Sequence, residues 1–233
     1  MSATLHLLCA GAAQGLVKAL QPRLRAEAGV EIAARFGAVG AMKEALLAGE
    51  PCDLMIVTEK MVGQLAEAGW LRADIRVPLG RVRTGIAVRR GEPHPDASTP
   101  EALKAALLAA DAIYFPDAVR STAGIHFVGV LRELGIHDQL EPRFRTFPNG
   151  ATAMRELAAN QAPRLIGCTQ VTEIRYTDGV ELVAPLPARF ELTTVYTAAV
   201  SANAAEPALA ARFIAILAGA DTRALREAGG FES

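Results

Sequence analysis

The residues that could do chemistry fall at points where a short apolar run passes through glycine or alanine into a helical one. Arg35-Phe36-Gly37-Ala38-Val39-Gly40-Ala41-Met42-Lys43 follows the alternating run Val30–Phe36 and leads into helix formers up to Leu47. A strand that runs through small residues into a helix leaves the first helical N–H groups free of intrahelical partners. These groups point outward with the positive end of the helix dipole, an arrangement that binds anions. The shape recurs at Leu5–Cys9 with Ala10-Gly11-Ala12-Ala13, and at Ala112–Phe115 with Ser121-Thr122-Ala123-Gly124. A weaker copy is Phe147-Pro148-Asn149-Gly150-Ala151-Thr152. Taken singly, such a junction also serves close packing of a helix on a sheet. None is a P-loop, since no Gly-Lys-Ser/Thr follows, and none carries a dinucleotide fingerprint.

Charge partners for an anion are Arg81 and Arg83, Lys43 near the second junction, and Arg120 beside the third. Arg81 and Arg83 share one face of a strand by its period of two, with Thr84 on the other face. The planar guanidinium matches a carboxylate in bidentate fashion. Ser121, Thr122 and Ala123 add donors at the third junction, and Cys168-Thr169-Gln170 ends a strand, with Thr169 a candidate ligand group. His126, one turn into a helix, is the candidate acid/base residue; Lys43 and Cys9 follow it, each needing a lowered pKa. No Ser/His/Asp set, paired carboxylates or zinc-spaced His/Cys cluster is present, so no metal or other cofactor is expected.

These residues must be positioned by alternating strands and helices. Strand and helix patterns alternate from Leu5 to about Trp70, as in a mainly parallel sheet covered on both faces. Long strands at about 81–88 and 191–200 bracket a middle block with its own alternation. They read as crossovers between a discontinuous first lobe, 1–83 plus 196–233, and a second lobe, 84–195, with a cleft between. Thr99 and Pro100 are a helix N-cap and first residue, and Pro207 opens a late amphipathic helix.

The 233 residues carry a net charge of −1. There is no basic stripe with interleaved aromatics, which argues against nucleic acid, and no apolar run long enough to span a bilayer. Met1-Ser2-Ala3 leads directly into the first strand without a charged or long apolar leader. Cys9, Cys52 and Cys168 are odd in number and far apart, as suits a reducing compartment. A cytoplasmic location is expected, or a periplasmic one if a leader has been removed.

The pattern resembles the type II solute-binding protein fold and, within it, the molybdate-binding-like group. The resemblance rests on the first two junctions, Asp53–Val57, Pro116-Asp117 leading to Ala123-Gly124-Ile125, and the closing Gly230-Phe231-Glu232. It implies an α/β chain of two lobes, with mixed, mostly parallel sheets and a small anionic ligand held at Gly11, Ala12, Val39 and Gly40. Molybdate binders of this kind place serines at the first two junctions, and this chain does not. Each lost charge-assisted bond costs about 1.5–3 kcal/mol. The resemblance therefore implies a carboxylate or oxyanion binder ahead of a molybdate or tungstate component of an ABC transporter. It extends to aconitate isomerases, which implies, as an alternative, isomerisation of a di- or tricarboxylate.

Overall fold

The computed structural model describes residues 4–233; the Met1-Ser2-Ala3 start read above lies outside them. The chain divides into two compact units, one built from residues up to Val82 together with Thr194–Ser233, the other from Arg83–Thr193.

The first unit opens with β1 (Thr4–Ala10), α1 (Gly11–Ala28), β2 (Glu31–Gly37), α2 (Val39–Leu47), β3 (Leu54–Thr58) and α3 (Glu59–Glu67). β1 pairs in parallel with both β2 and β3. Next comes β4 (Leu71–Arg89), far longer than the 81–88 expected. The early part was missed because its alternation is written with Arg72, Asp74 and Arg76 between apolar residues and is broken by Pro78.

From Arg83 the strand belongs to the second unit. That unit continues with α4 (Pro100–Ala109), β5 (Ala112–Pro116), α5 (Thr122–Glu133), α6 (His137–Leu140) and β6 (Phe144–Phe147). It closes with α7 (Gly150–Ala159), β7 (Leu165–Gln170), α8 (Val171–Arg175) and β8 (Val180–Pro185). β5 lies parallel between β6 and β7, while β4 runs antiparallel to β7 and β8. The chain then returns to the first unit with β9 (Thr193–Ser201), α9 (Pro207–Ala218) and α10 (Arg223–Ala228). β9 is antiparallel to β3 and also neighbours β4. This is an α/β fold with mixed, mostly parallel strands and flanking helices.

Strand alternation sorts the second unit's core onto the two faces of its sheet. Ile86, Ile113, Phe115, Ile166 and Cys168 share one cluster with Phe127 and Leu131 of α5 and Leu103 and Leu107 of α4. Ala87, Ala112, Tyr114 and Leu165 share the other with Ala153, Met154 and Leu157 of α7. Phe115 meets Phe127 edge-on at 5.4 Å between ring centroids, a favoured aromatic geometry. In the first unit α9 packs beside α1, and Leu16, Val17, Leu24, Phe213 and Leu217 are fully buried.

Candidate functional site

Parallel strands send their carboxyl ends to one edge of a sheet, and the helices that follow begin there. In α/β sheets that edge is where ligands bind. Each unit has such an edge.

In the first unit the edge carries the starts of α1 and α2. The small residues Gly11–Ala13 and Val39-Gly40, read from the sequence as the passage into each helix, are themselves the first helical turns. Small residues there mark close approach to the strands, and Gly11, Ala12 and Ala13 are buried. Neither helix has a side-chain cap or an acidic residue in its first turn. By contrast, α3 is capped by Thr58 with Glu59 in its first turn, and α4 by Thr99 with Glu101. Lys43, half-buried, stands in the second turn of α2. Thr197 of β9, opposite Val57 near the end of β3, is 2% exposed and its hydroxyl has no hydrogen-bond partner among the described residues.

In the second unit the edge carries the starts of α5, α7 and α8. Thr122–Gly124, read from the sequence as the passage into a helix, already belong to α5, and Ser121 is its N-cap, with Oγ accepting from the Gly124 N–H. Asp117 shapes the approach by accepting the backbone N–H groups of Val119 and Arg120 at 2.7 and 2.9 Å.

The fourth junction departs from expectation. Asn149 caps α7 by accepting from the Thr152 N–H at 2.8 Å. The buried carboxylate of Glu173 accepts from the Ala151 N–H and from the Thr169 hydroxyl. This helix start is thus filled by a carboxyl group of the chain itself. Burial pushes the Glu173 carboxyl above the usual carboxylate range, against the pull of these donors and the N–H groups of Gln170 and Gly150. Thr169, expected as a ligand group, is fully buried with its hydroxyl committed to Glu173.

The remaining sequence candidates are distributed as follows. Arg81 is exposed and its guanidinium donates to the backbone carbonyl of Ser233, while its main chain exchanges hydrogen bonds with Glu232 at 2.8 and 2.7 Å. Arg83 is half-buried. The Arg81 and Arg83 side chains leave the same face of β4, but their residues belong to different units. His126 Nε2 lies 2.7 Å from the Phe190 carbonyl oxygen. A carbonyl only accepts, so Nε2 carries the hydrogen and Nδ1 is the nitrogen able to take a proton. Cys9 is fully buried and its thiol is pushed up by desolvation, the wrong direction for a thiolate. Arg89 ends β4 and donates to the Asn160 carbonyl and Gln161 Oε1.

Sequence reasoning missed Glu173 and Thr172 as edge residues, and it placed Gln170 at a strand end without naming it a candidate ligand group. Gln170, 2% exposed, has neither amide atom partnered among the described residues, and the same holds for the hydroxyls of Thr84 and Thr172. Their signal was a polar residue ending or facing an apolar strand, which is legible only once burial is known.

The sequence pattern of the family described as "Bacterial extracellular solute-binding protein" matches residues 5–232. The chain belongs to that family. Among solved structures, this solute-binding protein is similar to the periplasmic molybdate-binding protein of Azotobacter vinelandii, at TM-score 0.78 and 18% identity, covering 98% of this chain and 99% of that one. It is similar also to the sulfate-binding protein SubI of Mycobacterium tuberculosis H37Rv, at TM-score 0.73 and 17% identity, covering 98% and 86%. These likenesses establish the type II solute-binding fold. A curated relative, aconitate isomerase of a Pseudomonas species, is 25% identical over 233 residues, 97% of this chain and 87% of that enzyme. No helix among the described residues is long and apolar enough to cross a membrane.

Proposed function

We propose that this solute-binding protein binds a small anion, a carboxylate or oxyanion, on backbone N–H groups at the carboxyl edges of its sheets. The observation that carries the reading is a contrast between helix starts. α7 has a carboxylate of its own chain at its N-terminus, whereas α1 and α2 have no side-chain cap and no acidic first turn. Gly11, Ala12, Val39 and Gly40 are then the backbone donors of the first unit's edge, and Thr122 and Ala123 those of the second unit's edge, where the Ser121 N–H is given to the Asp117 carbonyl and its hydroxyl is the candidate group. Lys43 and Arg83 supply positive charge. Arg81 is the weaker clamp because the Ser233 carbonyl engages it.

A thermal-shift screen of oxyanions and di- and tricarboxylates tests this. A ligand present at about 100 times its Kd stabilises by about 2.7 kcal/mol; no shift with any anion overturns the reading. For a carboxylate ligand, Arg83→Ala is expected to weaken binding by about 2–5 kcal/mol, as for a truncated buried ion pair. Arg90→Ala, at an exposed residue 3.8 Å from Glu181, is expected to change nothing. Equal binding to wild type and Arg83→Ala removes Arg83 from the site.

The curated relative favours a second reading, an isomerase of a polycarboxylate. Moving a double bond takes a proton from one carbon and returns one to the far end of the allylic system, with no net oxidation. Nδ1 of His126 is the candidate proton carrier. Interconversion of cis- and trans-aconitate is expected to fall at least about 100-fold in His126→Ala; an unchanged rate removes His126 from that role.

The three free, buried cysteines support a cytoplasmic location, although the family's description is extracellular. Recovery of the chain in a periplasmic fraction would overturn this.

A further inference from the structure

Resting on the anion-binding reading, we propose that Gln170 and Thr84 select a hydroxylated organic acid over a fully deprotonated oxyanion. Thr84 of β4 and Gln170 of β7 are direct partners in an antiparallel pair, so their side chains leave the same face with Cβ atoms about 5 Å apart. Two residues along, Ile86 and Cys168 are also partners, and both lie in the core cluster that contains Phe127 and Leu131 of α5. Strand alternation therefore puts Gln170 and Thr84 on the α5 face of the sheet. Thr169 projects to the opposite face, where it meets Glu173.

Position along the edge agrees. β5 and β7 are parallel with Tyr114 level with Gly167, and continuing that register brings Asp117 level with Gln170. Asp117 and Ser121 form the approach to α5, whose N-cap Ser121 is buried. One face at one edge thus carries the α5 N-terminus, the Thr84 hydroxyl and the Gln170 amide. The two side chains are 1% and 2% exposed, and none of their polar atoms has a partner among the described residues.

Unmet buried polar groups are costly, so their chemistry describes what satisfies them. Gln170 Nε2 and the Thr84 hydroxyl can donate to ligand oxygens. Gln170 Oε1 can only accept and needs a donor. Sulfate and molybdate, fully deprotonated, present oxygens that only accept, and they would leave Oε1 facing negative charge. A carboxylate that also bears a hydroxyl meets the whole set: its charge lies toward the α5 N–H groups and its hydroxyl donates to Oε1. A site built around a ligand hydroxyl rejects the analogue that lacks it, because the buried partner is left unpaired.

Calorimetric titration with matched pairs tests the assignment, using citrate against tricarballylate and malate against succinate, with sulfate and molybdate alongside. The hydroxylated member of at least one pair is expected to bind tenfold tighter or more, on the order of one hydrogen bond's worth. In Gln170→Met the preference should shrink to within about twofold, while the ligand-free melting midpoint stays level or rises because an unpartnered amide is gone. Should that variant fold poorly, Thr84→Val and the wild-type pairs carry the test. Equal binding within both pairs, tightest binding of sulfate or molybdate, or a preference that survives in Gln170→Met would overturn the selectivity while leaving anion binding intact. Absence of binding by every anion overturns both.

Discussion

Replacing Gly124 by alanine is expected to destabilise the protein by about 3 kcal/mol in urea unfolding, at the upper end of overpacking costs. A Cβ at this position would lie 2.2 Å from the Asp117 carbonyl oxygen and 2.4 Å from that of Pro116. Both obstacles are main chain at the end of β5, so no side chain can swing aside. α5 would have to lift off the strand, parting Phe127 from Phe115. The control lies in the same helix. A Cβ at Gly129 meets nothing within 4 Å, and there alanine removes only glycine's backbone freedom. Gly129→Ala is expected to stabilise by about 0.5–1 kcal/mol. Equal effects at the two positions would show that the contact at the β5–α5 junction is not what requires glycine.

The second large effect belongs to Glu173. Glu173→Ala leaves the Ala151 N–H and the Thr169 hydroxyl without their acceptor in a buried place and is expected to cost about 3 kcal/mol. Glu173→Gln should fold, since one amide oxygen still accepts from Ala151 while the amide nitrogen donates to Thr169, whose hydroxyl can rotate. The two variants separate hydrogen bonding from charge, and pH then reads the charge. Burial raises the Glu173 carboxyl above its ordinary range. Below about pH 4.3 it is protonated folded and unfolded alike. Between there and its raised native pKa, unfolding releases a proton, so this group's contribution to stability falls as pH rises. Glu27, Asp74, Asp96, Asp221 and Glu227 are shifted down and act with the opposite sign. They are common to both proteins and cancel in the difference. Wild type minus Glu173→Gln should therefore decline as pH rises through this window. A flat difference would mean that the carboxyl is not shifted.

Glu173 also shows where sequence reading stops. Alternating apolar strands and small-residue junctions announced the strand ends, because a period of two and the need for close approach are local properties. The same small residues concealed the helix starts. Gly11–Ala13 and Thr122–Gly124 have turn composition and helical conformation, since a helix pressed against a strand end excludes larger side chains. Glu173 becomes an acceptor for the start of α7 only when β7 and α8 return across 22 residues. Arg81 finds Ser233 across 152. Gln170 and Thr84 read as a strand terminus and an off-face residue; their shared register is a property of pairing, not of either segment.

The interleaving of the units also bears on synthesis. In the first unit's sheet β9 lies between β3 and β4, yet it is made only after all of Arg83–Thr193 has left the ribosome. At about 5–20 residues per second, the edges of β3 and β4 wait on the order of ten seconds for the strand that joins them. The inserted unit is complete in sequence by then and can fold first. The nascent chain is thus most exposed to edge-to-edge aggregation in the first unit, and a pause in translation just before Thr193 would prolong that exposure.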